Sequence, residues 1–264
     1  VKNKEEILMD NANLKGRLEE KAQGTQEVQE PGTAVIPASS EFIGLNEKAA
    51  ALLEENLKNQ PISYQLFDVI KSPSGGITSF SVQGISGEEM EKELRGIIID
   101  YSTPRAYWDT PDPVEGTPPV CHSRDSVMSS DGRACVSCPF NDFGSKNGGK
   151  TQAKACKEAV QILLLRPNSI IPVIVRVPVS SKLRFQQYMM RLTGGMLPLS
   201  GAVTKITLEK SSSKGGKPFA MYKFELAETL NENVAVTAKA FAQRFKEILS
   251  ASDDVPALDV REAV

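Results

Sequence analysis

The chain has one histidine, one tryptophan and four cysteines in 264 residues, and it has no long apolar run. Each shortage excludes something. Because His122 is the sole imidazole, a Ser/His/Asp or Cys/His catalytic set would rest on it alone, directly beside Cys121. Asp109, Asp112 and Asp125 could be grouped as an acidic cluster, but acids in Pro-rich loops usually serve only to hold solvent, so no enzyme is expected. The longest apolar stretches, 162–165 and 170–177, are interrupted by Arg166, Pro167 and Pro172 and are too short for a membrane helix. The first residues, Val1-Lys2-Asn3-Lys4-Glu5-Glu6, are charged where a signal peptide carries its apolar core, so none is expected. Cysteines without such a signal point to a reducing, cytoplasmic setting.

What is present is enough for a folded core. Hydrophobic residues make up 40% and charged residues 24%, ordinary values for a globular chain. The net charge of −2 hides a strong segregation. Residues 146–217 hold thirteen Lys/Arg against Glu158 and Glu209, a balance of +11. Residues 1–100 stand at −7, and 101–145 and 218–264 at −3 each. A one-sided block of this kind is the mark of a surface that meets a polyanion.

The four cysteines, Cys121, Cys135, Cys138 and Cys156, all fall within one short stretch. Cys135-Val136-Ser137-Cys138 is a C-x2-C turn, which lets two thiolates converge on one metal, and the outer two lie at loop-sized distances. The spacing points to zinc. With four thiolates, or with His122 in place of Cys121, the site is closed and therefore structural rather than catalytic. A nucleobase-deaminase site needs a Glu two residues after its first ligand, and none is there. A redox C-x-x-C pair, or thiols packed as small hydrophobes, is the other reading.

Gly144-Ser145-Lys146-Asn147-Gly148-Gly149-Lys150-Thr151 satisfies the phosphate-loop pattern. A working loop follows a buried strand, and Pro139-Phe140-Asn141-Asp142-Phe143 does not read as one. The glycines fit better as flexible backbone that returns Cys156 to the metal.

Periodicity sketches the remainder. Residues 42–57 read as a helix. Residues 62–70 and 77–82 read as a hairpin around 71–76, and 87–93 as a short acidic helical turn. Residues 94–101 form a strand, and 153–165 begin helix-like and could end as strand. Residues 170–177 form a strand, and a helix after Pro178 carries Leu183, Tyr188 and Leu192 on one face. Residues 202–209 and 219–226 alternate as a hairpin, and 234–249 form a last helix. The expected fold class is α+β: an antiparallel OB-like β-barrel or sheet with peripheral helices and a zinc-binding insertion. The expected division is a flexible segment over 1–40, a core over 41–249 with the insertion at about 119–160, and an acidic tail over 250–264.

Gly116-Thr117-Pro118-Pro119-Val120-Cys121-His122-Ser123, Asp131-Gly132, Cys135 through Ser145 and Lys154-Ala155-Cys156-Lys157 resemble uncharacterised zinc-containing proteins of phages and mobile elements. In that architecture a zinc insertion precedes a strand, a Ser-rich helix and a hairpin of the form Val203-Thr204-Lys205-Ile206-Thr207-Leu208. The resemblance spans roughly residues 94–228 and implies a bacterial host cytoplasm. The chain is more loosely similar to phage OB-fold single-stranded DNA-binding proteins, some of which embed a zinc and end in an acidic tail.

The expected function is non-sequence-specific binding of single-stranded DNA in replication or recombination. Single-strand binders pair a cationic groove with aromatic platforms. The phosphate candidates are Lys150, Lys154, Lys157, Arg176, Lys182, Arg184 and Arg191; the stacking candidates are Tyr107, Trp108 and Phe143. The tail, with Asp253, Asp254, Asp259 and Glu262, could contact replication or recombination proteins or compete for the groove, and the chain could form a homo-oligomer. A zinc-shaped interaction or assembly protein and a zinc-ribbon regulator of duplex DNA are the rival readings.

Overall fold

The computed structural model describes residues 41–42, 45, 47–58, 60, 62, 66–110, 117–146, 152–213 and 215–250. The expected N-terminal segment and acidic tail lie outside the described residues, apart from Ser250, which ends the last helix. In chain order the elements are α1 (Glu47–Leu57), β1 (Val69–Ile70), β2 (Phe80–Gly84), β3 (Gly87–Glu91), β4 (Glu93–Ser102), β5 (Arg105–Tyr107) and β6 (Cys121–Ser123). They continue with β7 (Lys157–Leu165), β8 (Val173–Pro178), α2 (Val179–Gly194), β9 (Ala202–Ser212), β10 (Pro218–Thr229) and α3 (Glu232–Ser250).

The main sheet runs β1-β8-β7-β4-β9-β10, with β5 attached to β7 and β6 to β5. It is a mixed, strongly curled half-barrel, because β1 lies parallel to β8 while the other pairs are antiparallel. The fold is thus α+β, with three α-helices among the described residues. Among the described residues no helix is long and apolar enough to cross a membrane.

The sheet is covered on both faces. Val160, Ile162 and Leu164 of β7 join α2 and the β2–β3 hairpin in one core, with Phe80, Phe185 and Tyr222 at its centre. Leu163 and Leu165 point the other way, into a second core with Phe42, Phe67 and α3. A central strand buried on both sides reads as an unbroken apolar run rather than an alternating one. That is why 153–165 looked helical from its start; the segment is strand from Lys157 onward. At Gly96 of β4 a Cβ would lie 2.5 Å from the Leu165 carbonyl oxygen, so the close approach of β4 and β7 requires glycine there.

Three further expectations are corrected. Residues 87–93 are not a helical turn: Gly87–Glu91 pairs antiparallel with β2, and Gly87 takes φ +131° at the tight corner. Among the described residues of 62–70 only Val69–Ile70 is strand, and it docks parallel on β8 instead of forming the expected hairpin with 77–82. On α2 the buried residues are Ser181, Phe185, Tyr188 and Leu192, spaced four, three and four apart, which leaves Leu183 on the exposed side.

Candidate metal centre and nucleic-acid interface

The cysteine segment hangs from the start of β7 through a short ladder. Arg105 pairs with Glu158 and Ala106 with Lys157, and β5 in turn carries β6, with Tyr107 opposite Cys121. Beyond β6 the chain is held by turns. The Asp125 carboxylate accepts hydrogen bonds from the Val127 amide (2.8 Å) and the Ser123 hydroxyl (3.1 Å). The Val127 bond is the main cause that holds this carboxyl below the usual range. The Cys135 amide then donates to the Val127 carbonyl (2.8 Å), and the Cys138 amide reaches back to Cys135 O (3.4 Å), closing the C-x2-C turn. The Cys156 amide donates to Phe140 O (2.9 Å), which brings the fourth cysteine round to the first three.

The result is that all four cysteines line one cavity, walled by the Tyr107 and Phe140 rings stacked at 4.1 Å and 11°. Its volume is about 20 Å³, on the order of the space one water needs, so it suits a single ion and not a nucleotide. Cys121 pairs with Tyr107 and His122 with buried Ala106, yet both Cys121 and His122 line the cavity, so both alternatives stay open. Burial pushes the Cys156 thiol up to about 11; Arg105 opposes this, and the other three cysteines add to it. Cys121 is raised by burial and by Asp131, with Arg133 opposing. Among the described residues no three His, Cys, Asp or Glu side chains are drawn into a ready-made ligand group.

A polar strut fixes this module to the sheet. Arg105 donates to Glu158 Oε2 (2.6 Å) and to Asn141 Oδ1 (2.5 Å), and Asn141 Nδ2 donates to the Cys135 carbonyl (3.0 Å). Lys182 of α2 donates to the other Glu158 oxygen. The Arg105–Glu158 side chains are only 10% exposed. Sequence reasoning singled out none of Arg105, Asn141 or Glu158 as parts of the site. Their partners lie 36 and 53 residues apart, and no local pattern announces such a contact.

The nucleic-acid candidates scatter. Arg176 is 4% exposed in β8 and is corrected from a surface contact to an interior residue, because β8 is covered on both faces. Lys182 and Arg184 face Glu158 and Glu209 (2.7 Å for the latter). Arg191 lies exposed near the end of α2. Tyr107 gives one face to Phe140, and Trp108 donates from Nε1 to the Thr117 carbonyl (2.8 Å), tying two ends of a loop. Lys150 lies outside the described residues. Phe143 is 76% exposed with the Lys154 ammonium 4.5 Å over its ring, and Lys154 also donates to Asn141 (3.0 Å). The Lys157 ammonium is pushed down to about 8, first by burial and then by the Lys146 ammonium beside it. For the phosphate-loop pattern, a 3-10 turn over Pro139–Asn141 precedes the described part, Gly144 to Lys146, and no buried strand does.

No protein-family model, curated protein or solved structure matches this chain.

Proposed function

We propose that the chain binds single-stranded DNA without sequence selectivity, and that a structural zinc on Cys121, Cys135, Cys138 and Cys156 staples its binding module. The observation that carries this reading is that all four cysteines line one ion-sized cavity. Arg105 and Arg133 line the same wall, where they would offset the negative charge of four zinc-bound thiolates. Four sulfur ligands leave no open coordination position, so the metal would hold the loops in place and perform no reaction. A curled, mostly antiparallel sheet is loosely compatible with an OB-like scaffold.

Two measurements test the proposal. Metal analysis of the purified chain should find about one zinc per molecule, and well below one ends the stapled-module reading. Competition between single-stranded and duplex oligonucleotides should favour the single strand. The logarithm of affinity should fall linearly with the logarithm of salt, by about 0.7 per phosphate neutralised. Preference for duplex would indicate a zinc-ribbon regulator, and affinity for neither an interaction or assembly role.

A further inference from the structure

We propose that two copies of the chain pair about a two-fold axis, the outer face of α2 in each receiving the β2–β3 hairpin of the other. This pairing stands apart from the single-strand reading and needs no nucleic acid. α2 is apolar on two sides. Ser181, Phe185, Tyr188 and Leu192 are buried, while Val179, Leu183 and Met190, four and seven residues apart, form a row on the opposite side and are exposed. A surface helix is ordinarily polar there. Just past its end Met196 is 91% exposed and takes φ +58°. The Met196 amide donates to Thr193 O (3.0 Å) and the Leu197 amide to Leu192 O (2.9 Å), which puts Met196 at the left-handed cap position where glycine is the usual residue. Gly194 and Gly195 immediately precede it, so the glycines sit one step early and an apolar side chain is held in water at the strained position.

The hairpin breaks a local rule in the same way. Gly84 pairs with Gly87, so Ile85 and Ser86 form the tight turn, where small polar residues are preferred; Ile85 is fully exposed. The register puts Glu88 and Met90 on one side of β3, opposite Gln83 and Ser81, and Met90 is exposed. Both surfaces therefore show apolar side chains to water, and they carry opposite charge. α2 has Lys182, Arg184 and Arg191 and no acid; β3 has Glu88, Glu89 and Glu91 and no base. Lys182 and Arg184 face Glu158 and Glu209, whereas Arg191 is exposed and, among the described residues, has no carboxylate paired with it. Glu91 meets Arg166, whereas Glu88 accepts a hydrogen bond from the neutral Ser81 hydroxyl and Glu89 is exposed. Two α2 helices face to face would repel, so the complement to α2 is the hairpin. Both elements pack into the same core, so one two-fold axis can make both contacts at once.

Sedimentation equilibrium of the full chain tests this and should show a dimer. Leu183→Glu, at an exposed position, should weaken it roughly thirtyfold or more, as loss of a central anchor does, with the circular-dichroism spectrum unchanged. Arg191→Glu and Glu88→Lys/Glu89→Lys should each weaken self-association. An equimolar mixture of these two variants should pair again, because both contacts of the mixed dimer then join opposite charges. The proposal is overturned by a parent chain that stays monomeric, by an open-ended assembly in place of a dimer, by a dimer that Leu183→Glu leaves intact, or by a mixture that pairs no better than its components.

Discussion

The curled sheet and the cysteine module are held together by different physics. Around the sheet, Phe80, Phe185 and Tyr222 are fully buried, and branched residues of β4, β7, β8 and β9 fill both faces. In the module, across the described residues 117–146 and 152–156, only Ser123 and Cys135 are buried, while Val120, Val127, Met128, Val136 and Phe143 face solvent. The sheet is stabilised by area removed from water, at roughly 25 cal/mol per Å². The module has almost no such area and is held by turns, by the Arg105–Asn141 strut and, in the reading proposed above, by a zinc on its four thiols. The comparison teaches that a loop-rich insertion can be positioned by the sheet without sharing in its stability.

The largest effect expected from that contrast is on removing the proposed zinc. Structural zinc contributes apparent free energies of about 10–16 kcal/mol to small domains. Chelation, or Cys138→Ser, should therefore abolish amide-exchange protection across 121–156 while β9 and β10 keep theirs. Loss of protection in both regions, or in neither, breaks the comparison.

Tyr222→Ala should act in the opposite sense. Its ring is fully buried, packs 5.6 Å from Phe80, and its hydroxyl donates to the Arg176 carbonyl (2.9 Å). Truncating it should lower global stability by about 3–5 kcal/mol, read as a shifted urea midpoint, with zinc content unchanged.

Arg105→Met sharpens the comparison, because this residue belongs to both regions. Breaking a buried ion pair typically costs about 3–5 kcal/mol; here the loss should fall below that range, because Lys182 still faces Glu158. The variant should loosen the module and the start of β7 together, visible as faster exchange at both. Adding Glu158→Gln should recover part of the loss.

The smallest effect is Gly96→Ala. The new Cβ would meet the Leu165 carbonyl oxygen at 2.5 Å and Leu164 Cγ at 2.8 Å, and overpacking of this kind costs about 1–3 kcal/mol. Thermal unfolding should shift for the sheet, and metal affinity should not change.

Some of this was legible in the chain. The β9–β10 hairpin could be read because its alternation is local, and so could the last helix and the strands at β4 and β8. The cysteines were legible as a group for the same reason. What misled were elements whose neighbours decide their state: Gly87–Glu91 is polar enough for a helical turn until β2 offers it a partner, and Val69–Ile70 has a partner in β8 that no sequence distance suggests.

By itself the sequence determined which residues could ligate a metal, which segments alternate or repeat with helical period, and that the basic residues are concentrated in one stretch, all properties set by neighbours along the chain. Only the tertiary structure decided how that basic stretch is distributed. Folding buries Arg176, sets Lys182 and Arg184 against carboxylates, and stands Lys154 over the exposed Phe143 ring. It also decided that Cys121 stands opposite Tyr107, and that both it and His122 line the cavity of the stacked rings. Charge and register act through space, and a one-dimensional count carries neither distance nor direction.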